Sequence, residues 1–348
     1  MSHFSLLQAP QNIIVRLPNW LGDVVMATPV LADLRHHWPQ AKITAMCQGN
    51  TGTLVQEDPH LDEILNFKRP SGWIHREVHG DIIQPLRQGH YDLGILLTHS
   101  LSSAWWFWRG NIQERVGYAT NGRSWLLNVP VPVPPTRDTQ HLVVTYKMLL
   151  EPLGIPLSFT PPKLYLNADE QAQAQDFLRH YHVHLNDLII GINPGAAYGS
   201  AKCWPPERFR DLVLQLLNNP RIKVLFFGDK NTTSLIQNIC VGMPERVVNL
   251  AGKTSLRELM ALIQVCDLLL TNDSGPMHIA SALSVPLIAL FGSTSDVTTG
   301  PYQGGEVIHK HVACSPCYRR ECPIDFRCMT QITVDEVKQR INQMLKDK

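Results

Sequence analysis

Residues 12–34 read NIIVRLPNWLGDVVMATPVLADL. The stretch opens with an apolar, β-branched run over 12–17, the pattern of a buried strand. A Pro-Asn-Trp-Leu-Gly-Asp turn follows, and 21–37 continues as a helix. A strand that feeds a helix through a short turn is the opening unit of a parallel sheet covered on both faces.

The alternation extends outward from there. In the first half, 42–47, 62–67 and 91–98 read as strands, with a helical pattern over 73–87. In the second half the strands are 188–193, 223–227, 246–250, 267–271 and 286–291, joined by helices near 206–217, 232–241, 256–265 and 276–283. Two such series predict an α/β protein of two doubly wound, Rossmann-like domains, 1–165 and 166–330. Pro-rich runs at 130–135 and 156–162 flank a helical 141–153, so 129–167 reads as the junction. Residues 331–348 form a last helix that could pack back on the first domain. Loops from the carboxyl ends of both sheets are expected to line a cleft between the domains.

Composition narrows the class. The chain has 348 residues, 44% hydrophobic and 18% charged, with 31 Lys plus Arg against 30 Asp plus Glu. A net charge of +1 lacks the concentrated basic excess of a nucleic-acid binder, so no nucleic-acid partner is expected. The first residues lack a secretory signal pattern. No run approaches the roughly 18 apolar residues of a membrane span. A cytoplasmic protein is the expectation. Of eight cysteines, Cys47, Cys203, Cys240 and Cys266 sit among apolar neighbours, whereas Cys314, Cys317, Cys322 and Cys328 cluster. Their spacing, Cys-x2-Cys-x4-Cys-x5-Cys, does not match a paired CxxC ribbon. Reduced free thiols are the leading reading and a structural metal site the alternative.

Three motifs carry chemistry. In the first, Pro18–Asp23, Gly22 permits a tight turn and Asp23 stands at a helix opening. Two readings are open: an N-cap, or a general base for an acceptor hydroxyl. The second, NPGAAYGSAKCWP over 193–205, follows a strand and runs into a helix. Its small residues, with Asn193 and Gly195 at the start, let backbone N–H groups approach an anion, and Lys202 adds a point charge. A flexible loop with a solvated lysine is the alternative. The third, TNDSGPMHIA over 271–280, ends a strand in an Asn-Asp-Ser-Gly turn, and Pro276 opens the next helix. Asp273, Ser274, Gly275 and His278 are candidates to hold phosphate oxygens at the positive helix end. A capped helix with a packed histidine weighs equally.

These motifs, in this order, resemble the heptosyltransferases of glycosyltransferase family 9, which have the GT-B fold. The matching stretches are 18–34, 193–209 and 271–283, with further similarity in 96–104, in ERVGY at 114–118 and in 314–329. The long second motif looks most like the members that add a second heptose. The resemblance implies an inverting, metal-independent transfer from ADP-heptose to the heptose of the lipopolysaccharide inner core, with no cofactor and with Asp23 as base. It implies that Lys202 meets the donor diphosphate, that Asp273 contacts the donor, and that Ser274, Gly275 and His278 hold phosphate.

Asp229 and Thr254 are weaker candidates for the adenosine ribose. Gly22, Ser100, Arg115, Tyr118 and Arg123 are candidates for the anionic acceptor, arginine suiting phosphate and carboxylate groups. The aromatic run Trp105-Trp106-Phe107-Trp108 reads as helix packing, with peripheral contact at the inner membrane as the other reading. Other members using a related nucleotide sugar, a silent nucleotide-sugar binder and an epimerase are the rival functions.

Overall fold

A computed structural model describes residues 9–68, 79–184 and 186–346. The chain divides after Tyr165 into two compact units, each with its own six-stranded sheet.

The first unit contains β1 (Asn12–Arg16), β2 (Lys42–Gln48), β3 (Glu63–Phe67), β4 (Leu93–Leu96), β5 (Glu114–Tyr118) and β6 (Val129–Val131). They run parallel in the order β3-β2-β1-β4-β5-β6. The chain starts mid-sheet, winds to one edge, then crosses back to the other side of β1. Connections leaving β1 and β4 therefore diverge, and the crevice at their carboxyl ends is the switch point where ligands bind in such sheets. Ile13, Ile14 and Val15 are fully buried, as a strand covered on both faces requires.

Among the described residues, the α-helices of this unit are α1 (Leu21–His37), α2 (Gln84–Gln88), α3 (Leu101–Arg109) and α4 (Leu142–Met148). Only the end of the helix expected over 73–87 can be compared, since 69–78 lie outside the described residues; a π-helical turn, His79–Ile83, leads into α2. Pro29 removes one backbone donor from α1. The Thr28 hydroxyl donates instead to the Val25 carbonyl at 2.8 Å and accepts the Lys163 N–H at 3.1 Å. Buried Asp33 accepts the Ser158 and Thr160 hydroxyls at 2.8–3.0 Å. The proline-rich stretch 156–162 is thereby laid along α1 within the first unit. β6 falls inside the span expected as a junction. It escapes sequence reading because it has three residues with Pro130 at its centre, a composition confined to sheet edges.

The second unit repeats the plan with β7 (Leu188–Asn193), β8 (Ile222–Phe226), β9 (Val247–Asn249), β10 (Leu268–Asn272), β11 (Leu287–Phe291) and β12 (Glu306–His309). The parallel order is β12-β11-β10-β7-β8-β9. The switch point here lies between β7 and β10. Every residue of β7, β10 and β11 is buried. Gly191 is required in β7: a Cβ there would stand 2.8 Å from the Phe227 ring and 3.0 Å from Cys266 Sγ.

Its helices are α5 (Ala168–His180), α6 (Pro206–Leu216), α7 (Thr233–Cys240), α8 (Leu256–Gln264), α9 (Gly275–Ala282), α10 (Asp296–Thr299), α11 (Arg327–Thr330) and α12 (Val334–Met344). Capping boxes open α5 (Asn167 with Glu170) and α8 (Ser255 with Glu258). Glu170 also receives Arg257 in a bidentate pair at 2.6 and 2.5 Å, clipping α5 to α8. The final helix, open on sequence grounds to packing on the first domain, buries Val337 and Ile341 in the second unit's core beside Leu212 and Leu216 of α6. Its apolar residues recur at i and i+4, so one face must be covered, and α6 supplies the cover. Among the described residues, no helix is long and apolar enough to cross a membrane.

Candidate functional site

In the first unit the residues of interest gather where β1, β4 and β5 end. The N-cap of α1 is Trp20, without a side-chain cap, and Asp23 lies in the helix's first turn. The simple capping reading of Asp23 is therefore not what the structure contains. Its half-buried carboxylate stands at the positive helix end and accepts a hydrogen bond from the Tyr146 phenol of α4. Burial first, and then the Asp23 charge, push that phenol well above its usual range, so it stays a donor. Gly22 is the residue before Asp23 in the same turn of α1.

The turn itself is held by Arg16, a cation only 2% exposed at the end of β1. Its guanidinium donates to the Leu17 carbonyl, to Asn19 Oδ1 at 2.5 Å and to Met46 O at 3.4 Å. It also stacks over Phe67 at 4.6 Å. Burial lowers its pKa to about 10. A lone arginine in an apolar strand was a legible signal that sequence reading left unused.

The acceptor candidates divide. Ser100 is the N-cap of α3, its hydroxyl accepting the Ser103 N–H at 3.3 Å. Arg123 and Tyr118, expected to face an anionic acceptor, are 0% and 2% exposed. Arg123 donates to the carbonyls of Tyr118 at 3.0 Å, Thr98 at 2.5 Å and Ser100 at 3.3 Å, and Tyr118 donates to the Thr145 carbonyl. Arg115 spends its donors on Leu126 O at 2.7 Å, Ile112 O at 2.6 Å and Gln113 O at 3.2 Å. These three brace the loops after β4 and β5 with the contacts named, while Arg123 Nη2 has no hydrogen-bond partner among the described residues. Burial, with Arg123 and Arg137 nearby, lowers His99 to about 4, so its ring is neutral against Thr120 Oγ1 at 3.2 Å.

In the second unit, the loops after β7 and β10 are knitted together. Asn193 donates to Gly195 O at 3.0 Å, Thr271 Oγ1 at 3.2 Å and Ser274 Oγ at 2.9 Å. Asn272 answers in the other direction, donating to Pro194 O at 2.6 Å and accepting Trp204 N–H at 3.0 Å. Lys202 Nζ meets Asp273 Oδ2 at 2.5 Å, with side-chain exposures of 13% and 5%. Lys202 is thus a fixed cation, which the solvated-lysine reading did not foresee. Thr294 donates to the same carboxylate oxygen at 2.5 Å. An ammonium has three donors; one is spent on Asp273, and the Tyr198 ring lies 4.9 Å away. Ser274 is the N-cap residue of α9 but gives it no side-chain cap, and Pro276 occupies its first turn. Gly275 begins that helix and His278 is buried within it.

The ribose candidates separate as well. Asp229 caps a short turn, accepting Thr232 N–H and hydroxyl at 3.0 Å each and Asn231 Nδ2 at 3.2 Å. Thr254 is half-buried just before the capping box of α8. The cysteine-rich tail supports the lysine loop: Tyr198 donates to Tyr318 O at 2.6 Å, and Ala201 N–H to Arg320 O at 2.9 Å. Cys314 and Cys317 are exposed, Cys322 is half-buried and Cys328 buried, all as free thiols. Among the described residues, three metal-capable side chains converge only at Asp296, His309 and His311. Sequence reading missed Tyr146, Thr294 and the tail contacts, which come from 21 to 123 residues away in the chain and carry no local pattern.

Known proteins share this plan. Lipooligosaccharide heptosyltransferase 2 of Haemophilus influenzae is 30% identical over 298 residues, 83% of this chain and 86% of its own. The Campylobacter jejuni protein of that name is 28% identical over 97% of this chain and 99% of its own. The solved structure of Escherichia coli ADP-heptose lipopolysaccharide heptosyltransferase II superposes with a TM-score of 0.80 at 26% identity, covering 97% of this chain and 99% of that one. Residues 80–326 match the family described as glycosyltransferase family 9 (heptosyltransferase). With two sheets of the same doubly wound order and relatives aligned almost end to end, the chain belongs to glycosyltransferase family 9.

Proposed function

We propose that this enzyme moves heptose from ADP-heptose to the heptose of the lipopolysaccharide inner core, with inversion and without a metal ion. The observation that carries the reading is positional. The three motifs end β1, β7 and β10, at the switch points of two sheets, in a chain that aligns nearly end to end with heptosyltransferases 2.

The chemistry follows from the residues. As the acceptor oxygen attacks the anomeric carbon, its proton passes to the Asp23 carboxylate. Tyr146 holds that carboxylate in one orientation. The bond from the anomeric carbon to the donor phosphate oxygen breaks on the opposite face, so the configuration inverts. Charge then grows on the departing ADP. Lys202, with the remaining two N–H donors of its ammonium, and the Ser274–Gly275 start of α9 stabilise it. Asp273 and Thr294 fix Lys202 so that little reorganisation is needed. Asn193 and Gly195 shape the same loop, His278 supports it from within α9, and Thr254 approaches the ribose. Gly22, Ser100, Arg115, Tyr118 and Arg123 are the candidates for the acceptor side.

An inner-core acceptor carries lipid, which calls for peripheral contact at the cytoplasmic face of the inner membrane. Trp125 and Trp108, 71% and 46% exposed, are suited to such an interface. The test is the product's anomeric configuration by NMR after reaction in chelator. Inversion supports the single displacement; retention, or a reaction that stops in chelator, contradicts it.

A further inference from the structure

Asp296, His309 and His311 form a cluster that the transfer reading does not use. Asp296 opens α10, His309 ends β12, and His311 lies two residues further on. His309 is almost enclosed, at 2% side-chain exposure, whereas His311 is 66% exposed. His311 holds φ of +43°, a conformation that non-glycine residues adopt at a cost. That turn places its ring 4.0 Å from the His309 ring. One carboxylate faces both imidazoles: Oδ1 is 3.0 Å from His309 Nδ1, and Oδ2 is 3.7 Å from His311 Nε2. One ligand atom from each residue lies within 4.8 Å of the others.

Proton accounting makes the arrangement informative. The Ser315 hydroxyl spends its single hydrogen on the Gly292 carbonyl, at 2.5 Å. His309 Nε2, 2.9 Å from that oxygen, must therefore donate to it. On the other side of the ring, Nδ1 faces a carboxylate oxygen at 3.0 Å, a separation that one bound metal ion spans with ordinary ligand bonds. Metal-bound histidines characteristically donate their other ring N–H to an oxygen that fixes the tautomer. The Ser315–Gly292 relay supplies that partner.

We propose that Asp296, His309 Nδ1 and His311 Nε2 bind one divalent transition-metal ion, of the class of Zn²⁺ or Co²⁺, with solvent completing the shell. Two imidazoles and one carboxylate select borderline metals over Mg²⁺ and Ca²⁺, which prefer oxygen. The ion ties the end of β12 to the 292–296 loop, the segment that carries Thr294 to Asp273. It touches no residue assigned to the reaction, so its role is structural and does not depend on the transfer reading.

The test uses the full chain stripped with chelator. Zn²⁺ or Co²⁺ is added while binding and thermal unfolding are followed. One equivalent should bind and raise the melting temperature by several degrees, as a ligand of the native state does. Because the His311 ring is exposed, His311→Ala keeps the fold, and it should weaken binding by about tenfold or more. The Co²⁺ spectrum should lack the intense thiolate charge-transfer band, and Cys314→Ser with Cys317→Ser should leave binding unchanged. Absence of binding, binding indifferent to His311→Ala, or a thiolate band would each overturn the site.

Discussion

At the scale of single residues, Asp23 and Tyr146 make the sharpest predictions. Asp23→Ala should keep the fold and ADP-heptose binding while turnover falls about 10²- to 10⁴-fold, the range for a general base; calorimetry with the donor and a transfer assay separate the two. Tyr146→Phe removes one hydrogen bond to a charged group, so kcat should fall about tenfold with little change in KM. An unchanged kcat would mean that the phenol does not position Asp23. His99 gives a pH prediction. Its pKa is lowered to about 4, by burial first and by the nearby arginines second, against about 6.5 in an unfolded chain. Between those values the unfolded state binds more protons, so stability is lost as pH falls from 6.5 toward 4. The ring is half-buried, and with solvent screening the loss is on the order of 1 kcal/mol. Thermal unfolding across that window should flatten in His99→Asn.

At the scale of elements, the loops depend on close backbone approaches more than on single side chains. A Cβ at Gly199 would stand 2.3 Å from the Arg320 carbonyl oxygen. Gly199→Ala must therefore part the lysine loop from the cysteine-rich tail. We expect a loss of about 1–3 kcal/mol, as for overpacking, together with weaker ADP binding, measured by denaturant unfolding and calorimetry; unchanged ADP affinity would show that the tail does not support the donor loop. The elements were legible in unequal measure. Continuous apolar runs such as 188–193 announced the central strands, because burial on both faces leaves no room for polar residues. β6 and β12 lie at sheet edges, where half-exposed residues and Pro130 blur the pattern. The motifs were legible because they end strands at switch points. Their supports were not: Thr294 reaches Asp273 from the loop after β11 and Tyr146 reaches Asp23 from α4, contacts that only the folded chain creates. Arg115 and Arg123 look like anion ligands in sequence; the backbone carbonyls that each also caps in the fold carry no local pattern.

At the scale of the whole molecule, two similar sheets carry different chemistry. The first presents a carboxylate at the end of β1, and the second presents a fixed cation with a helix start at the ends of β7 and β10. In the proposed reaction the carboxylate is the base for an alcohol and the cation with the helix start is the cradle for a leaving diphosphate, the two halves of a glycosyl transfer. The most direct measurement is transfer from ADP-heptose, with chelator throughout, to core acceptors bearing zero, one or two heptoses. The predicted result is product from the one-heptose acceptor alone. Product only from a different acceptor would contradict the assignment of the step, and no product from any acceptor would contradict heptose transfer itself.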